Sequence, residues 1–185
     1  MNIPDNFRPL RGIVLIKRDT PEAVKDGIII PEAWREYGWC GEVLAIGEDV
    51  DNVAIGDRVM FQKEYCVLPF KEREMGLSDA GKLLAKLKVI GNVEVIMPLN
   101  GFVVIEPDPV KRDEGPIRLI DRKRLKSSSG RVEALVFKKE NDIRVGDRVW
   151  FEAHKAFVCV EDDKDKVLVD IAHIICKEGG NDSNE

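Results

Sequence analysis

Ile55-Gly56-Asp57-Arg58-Val59-Met60-Phe61 recurs 90 residues later as Val145-Gly146-Asp147-Arg148-Val149-Trp150-Phe151. A second stretch, Pro9-Leu10-Arg11-Gly12-Ile13-Val14-Leu15-Ile16, recurs 89 residues later as Pro98-Leu99-Asn100-Gly101-Phe102-Val103-Val104-Ile105. Two separate matches whose offsets differ by one residue read as a tandem duplication. Each copy is about 90 residues long, enough for a small domain that folds by itself. The expected boundary lies close to Met97. It gives a first domain over 1–96, a second over 97–178, and a tail over 179–185 that is polar, small and expected to be disordered.

Around each repeated motif the chain reads as short strands. In the first copy these are Ile13–Lys17, Glu42–Ile46, Arg58–Gln62 and Tyr65–Leu68. In the second they are Phe102–Glu106, Arg131–Phe137, Arg148–Glu152, Ala156–Val160 and Val167–Ile171. All are rich in β-branched or aromatic residues, and Gly, Asp and Asn stand between them at turn positions. Only Pro31–Tyr37 offers a helical turn, and the stretch from Lys71 to Lys82 reads as a loop. The fold class expected is all-β: two tandem small β-barrels, fused at Val93–Phe102 without a Gly/Ser or Pro-rich spacer.

The 185 residues are 44% hydrophobic and 34% charged, with a formal net charge of −5. A folded chain is expected, and an acidic one gains nothing overall from neutralising phosphates, so nucleic acid is not an expected partner. Residues Met1 to Gly12 carry no apolar leader, and no apolar run approaches bilayer length, so neither secretion by a signal peptide nor membrane insertion is expected. The four cysteines, Cys40, Cys66, Cys159 and Cys176, form no Cys-x-x-Cys pair. Free thiols in a reducing cytosol are expected rather than a zinc site or a disulfide framework.

Arg8-Pro9-Leu10 with Ile13-Val14-Leu15-Ile16-Lys17-Arg18, then Gly41-Glu42-Val43-Leu44-Ala45-Ile46-Gly47, then Ile55-Gly56-Asp57-Arg58-Val59 resemble successive strands of the chaperonin-10 (GroES-like) co-chaperonins. Gly27-Ile28-Ile29-Ile30-Pro31-Glu32 is similar to that family's mobile loop, in which a Gly and three hydrophobic residues dock on a chaperonin ring. The resemblance implies two GroES-like barrels, no catalytic activity, and a homo-oligomeric ring in which the two domains are neighbours, with Val93–Ile96 paired antiparallel to Phe102–Glu106 as a covalent copy of the family's contact between subunits. It implies a GroEL-type chaperonin as partner and ATP-dependent capping that assists protein folding in the cytoplasm. ATP would be bound by the partner, so no cofactor and no metal are expected on this chain. The implied docking residues are Gly27, Ile28, Ile29, Ile30 and Pro31, in a loop over about 20–38.

The residues of that loop agree with the role on their own terms. A chain gains little by exposing Ile28, Ile29 and Ile30 together, so they are expected to bury against something. Another barrel strand is the alternative burial site. Trp34, Tyr37 and Trp39 either widen the contact or pack the loop's return onto the barrel.

Two departures from the family pattern stand out. The connections between Gly47 and Gly56 and between Val136 and Gly146 are short, which resembles phage-encoded co-chaperonins with open roofs; a viral source would place the protein in its host's cytoplasm. In the second copy, Gly115-Pro116-Ile117-Arg118-Leu119-Ile120 occupies the triplet's place, inside a basic loop over about 109–129. Arg118 enters an apolar groove only at a cost, so Ile117, Arg118 and Leu119 are the weaker docking candidates. That loop docks weakly, docks elsewhere, or serves as connection alone.

Other classes lack their residues. No Gly-x-Gly-x-x-Gly turn, no Gly-Lys-Ser/Thr phosphate loop and no Gly-x-Ser-x-Gly elbow is present. The two histidines, His154 and His173, read as ordinary polar residues on strands. The rival to a co-chaperonin is a structural or adaptor protein that keeps the fold without the chaperonin.

Overall fold

A computed structural model of the chain describes residues 7–21, 23–25, 27–31, 39–62, 66–67, 74–91, 93–109, 127–136, 142–161 and 164–178. Two compact units divide the chain, Met1–Lys88 and Val89–Glu185. The division falls upstream of the expected boundary at 96/97 because residues 93–98 pack beside strands of the second unit.

The architecture is all-β, as expected, with 3-10 turns between strands. The first unit holds β1 (Ile13–Arg18), β2 (Val24–Lys25), β3 (Ile28–Ile29), β4 (Cys40–Ile46), β5 (Arg58–Phe61), β6 (Cys66–Val67) and β7 (Met75–Asp79). It then enters β8 (Leu83–Ile90), which runs to a turn at Gly91 with φ +67°. The second unit continues with β9 (Val93–Pro98), β10 (Phe102–Pro107), β11 (Ser129–Leu135), β12 (Arg148–Phe151), β13 (Phe157–Glu161), β14 (Lys164–Asp170) and β15 (Ile174–Lys177).

The two units share one topology. Within the first unit the strands run in the order β6-β7-β1-β4-β5-β8, and within the second unit the sheet runs in the order β13-β14-β10-β11-β12-β15. Even the irregularities match. A bulge interrupts the β1–β4 ladder between Leu15 and Ile16, and another interrupts the β10–β11 ladder between Val104 and Ile105. At each bulge the strand bends and one residue is left out of the pairing.

Each letter of the repeated Gly-Asp-Arg-Val motif has a place in this scheme. Gly56 and Gly146 take φ of +87° and +96°, which a side chain would oppose. Asp57 and Asp147 close their turns by accepting the N–H of Ala54 at 2.8 Å and of Arg144 at 2.9 Å. Val59 and Val149 are fully buried. In the second unit Val149 packs with Val103, Ile105, Val132, Phe151, Val167 and Val169. Deleting one such side chain to alanine costs roughly 2–5 kcal/mol, depending on how far the site collapses.

Three sequence expectations need correction. The stretch Lys71–Lys82 is not all loop: Met75–Asp79 is a strand laddered to β1, followed by a 3-10 turn over Ala80–Lys82. Both edges of β10 are taken, by β11 and by β14, so Val93–Ile96 is not its ladder partner. His154 and His173 lie in the 3-10 turns Ala153–Lys155 and Ile171–His173, not on strands. The expected helical turn at Pro31–Tyr37 lies, after Pro31, outside the described residues, as does the tail over 179–185.

Candidate functional site

The loop between β1 and β4 is held at its base by backbone and by charge. Asp19 donates its N–H to the Cys40 carbonyl at 3.0 Å, and its carboxylate accepts from the Arg58 guanidinium at 2.7 Å. Arg58 comes from the repeated motif, so the residue that follows the Gly-Asp turn also ties down the loop's first residues. Trp39, at the loop's return, accepts the Phe61 N–H at 2.8 Å on its carbonyl. That bond is backbone alone, and the Trp39 side chain is exposed.

Beyond that base stands a hairpin. Val24 pairs with Ile29 and Lys25 with Ile28, and these two short strands form a sheet of their own. Gly27, with φ +80°, supplies the reversal that a residue with a Cβ would resist. A further backbone bond, Ile30 N–H to the Ala23 carbonyl at 2.9 Å, closes the open end. The triplet is therefore not a strand of the main sheet, which disposes of the alternative burial site. Ile28 is 70% exposed and Ile29 75%, whereas Ile30 is half-buried and Pro31 is exposed.

Large aliphatic side chains left in water at a hairpin tip forgo about 1.5–3 kcal/mol each relative to burial. Arrangement and exposure together describe a surface that gains by meeting an apolar groove.

At the base of the second unit's loop the same frame recurs. Asp108 donates its N–H to the Ser129 carbonyl at 2.9 Å, and Arg148 meets the Asp108 carboxylate at 2.9 Å. Here the Ser129 hydroxyl also donates to Asp108, at 2.6 Å. The Ser129 hydroxyl, with the Arg148 guanidinium, holds the Asp108 carboxyl below its ordinary value. In the first unit, partial burial pushes the Asp57 carboxyl up. Hydrogen bonds from Lys86 and from the Ala54 N–H, with the nearby Lys88 charge, more than offset it, and the net shift is downward. The weaker docking candidates Ile117, Arg118 and Leu119 lie outside the described residues.

Among the described residues no group of three His, Cys, Asp or Glu side chains is placed to hold a metal ion. His154 Nε2 and His173 Nδ1 each stand 3.6 Å from Glu152 Oε2, beyond hydrogen-bonding reach. Cys40, Cys159 and Cys176 form no disulfide among the described residues. Among the described residues no helix is long and apolar enough to cross a membrane.

Residues 6–87 match the family described as the Chaperonin 10 Kd subunit. A stretch of 59 residues is 41% identical to the protein named Co-chaperonin GroES from Campylobacter jejuni subsp. doylei, covering 31% of this chain and 69% of that protein. Over equal lengths and shares the identity is 42% with the Co-chaperonin GroES of Campylobacter curvus and 39% with that of Campylobacter jejuni subsp. jejuni serotype O:23/36. The family match lies within the first unit, the one that carries the exposed Ile28–Ile29 hairpin. The chain belongs to the chaperonin-10 family of co-chaperonin subunits.

Proposed function

We propose that this protein is a co-chaperonin that caps a GroEL-type chaperonin ring in an ATP-dependent manner, docking through the hairpin of its first unit. The observation that carries the reading is the exposure of Ile28 and Ile29 on a two-stranded tip tied to the sheet by Asp19 and Arg58. Gly27 sets the turn, and Ile30 and Pro31 complete the docking segment with Ile28 and Ile29. ATP belongs to the partner. This chain supplies no catalytic group and acts by binding alone, in the cytoplasm.

Each hairpin binds weakly, because only a few side chains are buried. Assembly of the chain into a homo-oligomeric ring presents several hairpins together, and effective concentration turns weak contacts into a firm lid that still leaves each cycle. The second loop, with Arg118 at the triplet's centre, contributes less.

The test is co-migration of the full chain with a GroEL-type ring on gel filtration, with and without ATP. Binding that requires ATP supports the lid. Its absence under both conditions supports the structural or adaptor alternative.

A further inference from the structure

The hairpin has two faces, and the linear triplet does not lie on one of them. Successive residues of a strand point to opposite sides, so Ile29 faces away from Ile28. The register sets Val24 directly opposite Ile29, and opposed residues share a face with their Cβ atoms about 4.5–5.5 Å apart. Val24 is 53% exposed. One face of the tip thus presents an apolar pair drawn from both arms of the Gly27 turn. Among the described strands, β2 and β3 ladder only with each other.

We propose that Val24 is a docking residue alongside Ile29, so that the surface recognised is a cross-strand pair rather than a run of consecutive residues. The inference rests on the co-chaperonin reading above and names a contact outside the Gly27–Pro31 segment. The occupant follows from area. A stable one-to-one interface buries about 1,200–2,000 Å², far more than two side chains supply, so a second copy meeting tip to tip is not the partner. A ring that takes several hairpins at once has no such shortfall. Its complement is an apolar groove broad enough for side chains from two strands about 4.8 Å apart, not a slot for one extended strand.

The experiment measures ATP-dependent binding of the full chain to a GroEL-type ring for the unaltered protein and for Val24→Asp, Val24→Thr, Ile29→Asp, Val24→Ser, Ile29→Ser and the Ser/Ser double variant. Circular dichroism and sedimentation serve as controls for folding and assembly. Val24→Thr keeps the β-branched shape and the strand preference while adding a hydroxyl, so a loss there reports on burial and not on collapse of the hairpin. The expected result is at least a tenfold loss for Val24→Asp and about a threefold loss for Val24→Thr. The two Ser changes should be non-additive, as for residues that touch. Binding by Val24→Asp within twofold of the unaltered chain, while Ile29→Asp fails to bind, overturns the cross-strand pair and leaves the co-chaperonin reading standing. Failure of the unaltered chain to bind overturns both.

Discussion

Asp19 and Arg58 meet at 2.7 Å across the base of one loop, and 89 and 90 residues later Asp108 and Arg148 meet at 2.9 Å across the base of another. In each unit the Arg is the third residue of a Gly-Asp-Arg-Val motif, and the Asp is the first residue after the core strand that feeds the loop. The motif therefore does more than turn the chain. It places a cation where it holds the loop's first residues against the sheet.

Both pairs are largely solvated, so their energies are modest. Arg58→Ala should cost no more than about 1 kcal/mol of folding stability, and an Asp19/Arg58 double-mutant cycle should give a coupling of about 0.2–1 kcal/mol. Asp108→Ala should cost more than Asp19→Ala, because the Ser129 hydroxyl loses its acceptor as well. Urea denaturation of the four variants checks the order.

The lowered Asp57 and Asp108 carboxyls fix the sign of an acid effect. A carboxyl that titrates lower in the folded state contributes stability above its unfolded value, and this is lost as the pH falls through the folded value. With the ordinary value at 3.8, the contribution is complete near neutrality and declines below about pH 4. Asp108→Asn should lower stability near neutral pH and shrink that acid-side decline. Urea midpoints collected from about pH 2 to pH 7 would show it.

Glycines in the two units divide into two physical kinds. A Cβ on Gly41 would lie 2.5 Å from the Lys17 carbonyl oxygen, and one on Gly130 would lie 2.4 Å from that of Glu106. These neighbours are backbone and cannot step aside, so Gly41→Ala and Gly130→Ala should each cost about 1–3 kcal/mol, as overpacking does. Around Gly56 and Gly146 there is open space, and the cost of alanine is conformational, about 1–2 kcal/mol for a left-handed residue. Asn tolerates that conformation, so Gly56→Asn should fall below Gly56→Ala, whereas Gly41→Asn should exceed Gly41→Ala. Thermal unfolding of the four variants separates the two causes.

What the sequence disclosed and what it hid follow the same physics. The Gly-Asp turns and the Val-rich strands were legible because turn geometry and β-branching are local properties. Leu83–Ile90 is hard to read as a strand because Leu-Leu-Ala-Lys-Leu-Lys lacks clean alternation and is built from good helix formers, so it is tertiary pairing, with β5 among its partners, that makes it one. Met75-Gly76-Leu77-Ser78-Asp79 read as loop for its Gly and Ser, yet its ladder with β1 overrides composition. The apolar triplet announced itself by hydropathy. Val24 did not, since its partnership with Ile29 is a matter of register, which a linear reading does not contain.

The β10–β11 bulge leaves Glu133 as the residue skipped by the ladder, for Val104 pairs with Ala134 and Ile105 with Val132. Glu133 forms an ion pair with Lys166 of β14, whose side chain is only 5% exposed. In the first unit the skipped residue is Leu44, since Leu15 pairs with Ala45 and Ile16 with Val43. Ile16 pairs with Gly76 where Ile105 pairs with Val167, so the counterpart of Lys166 is Met75. The same architectural position is ionic in one unit and apolar in the other. Desolvating two charges offsets much of their attraction, and apolar replacements of buried pairs are often neutral or stabilising. Removing one partner is different, because it strands the other charge in the interior. Glu133→Ala should therefore cost about 3 kcal/mol, while Glu133→Leu combined with Lys166→Met should leave the second unit at least as stable as before. Urea unfolding followed through the Trp150 fluorescence would report on that unit, and a double variant less stable than Glu133→Ala would show that the pair itself, not the shape it fills, holds the bulge.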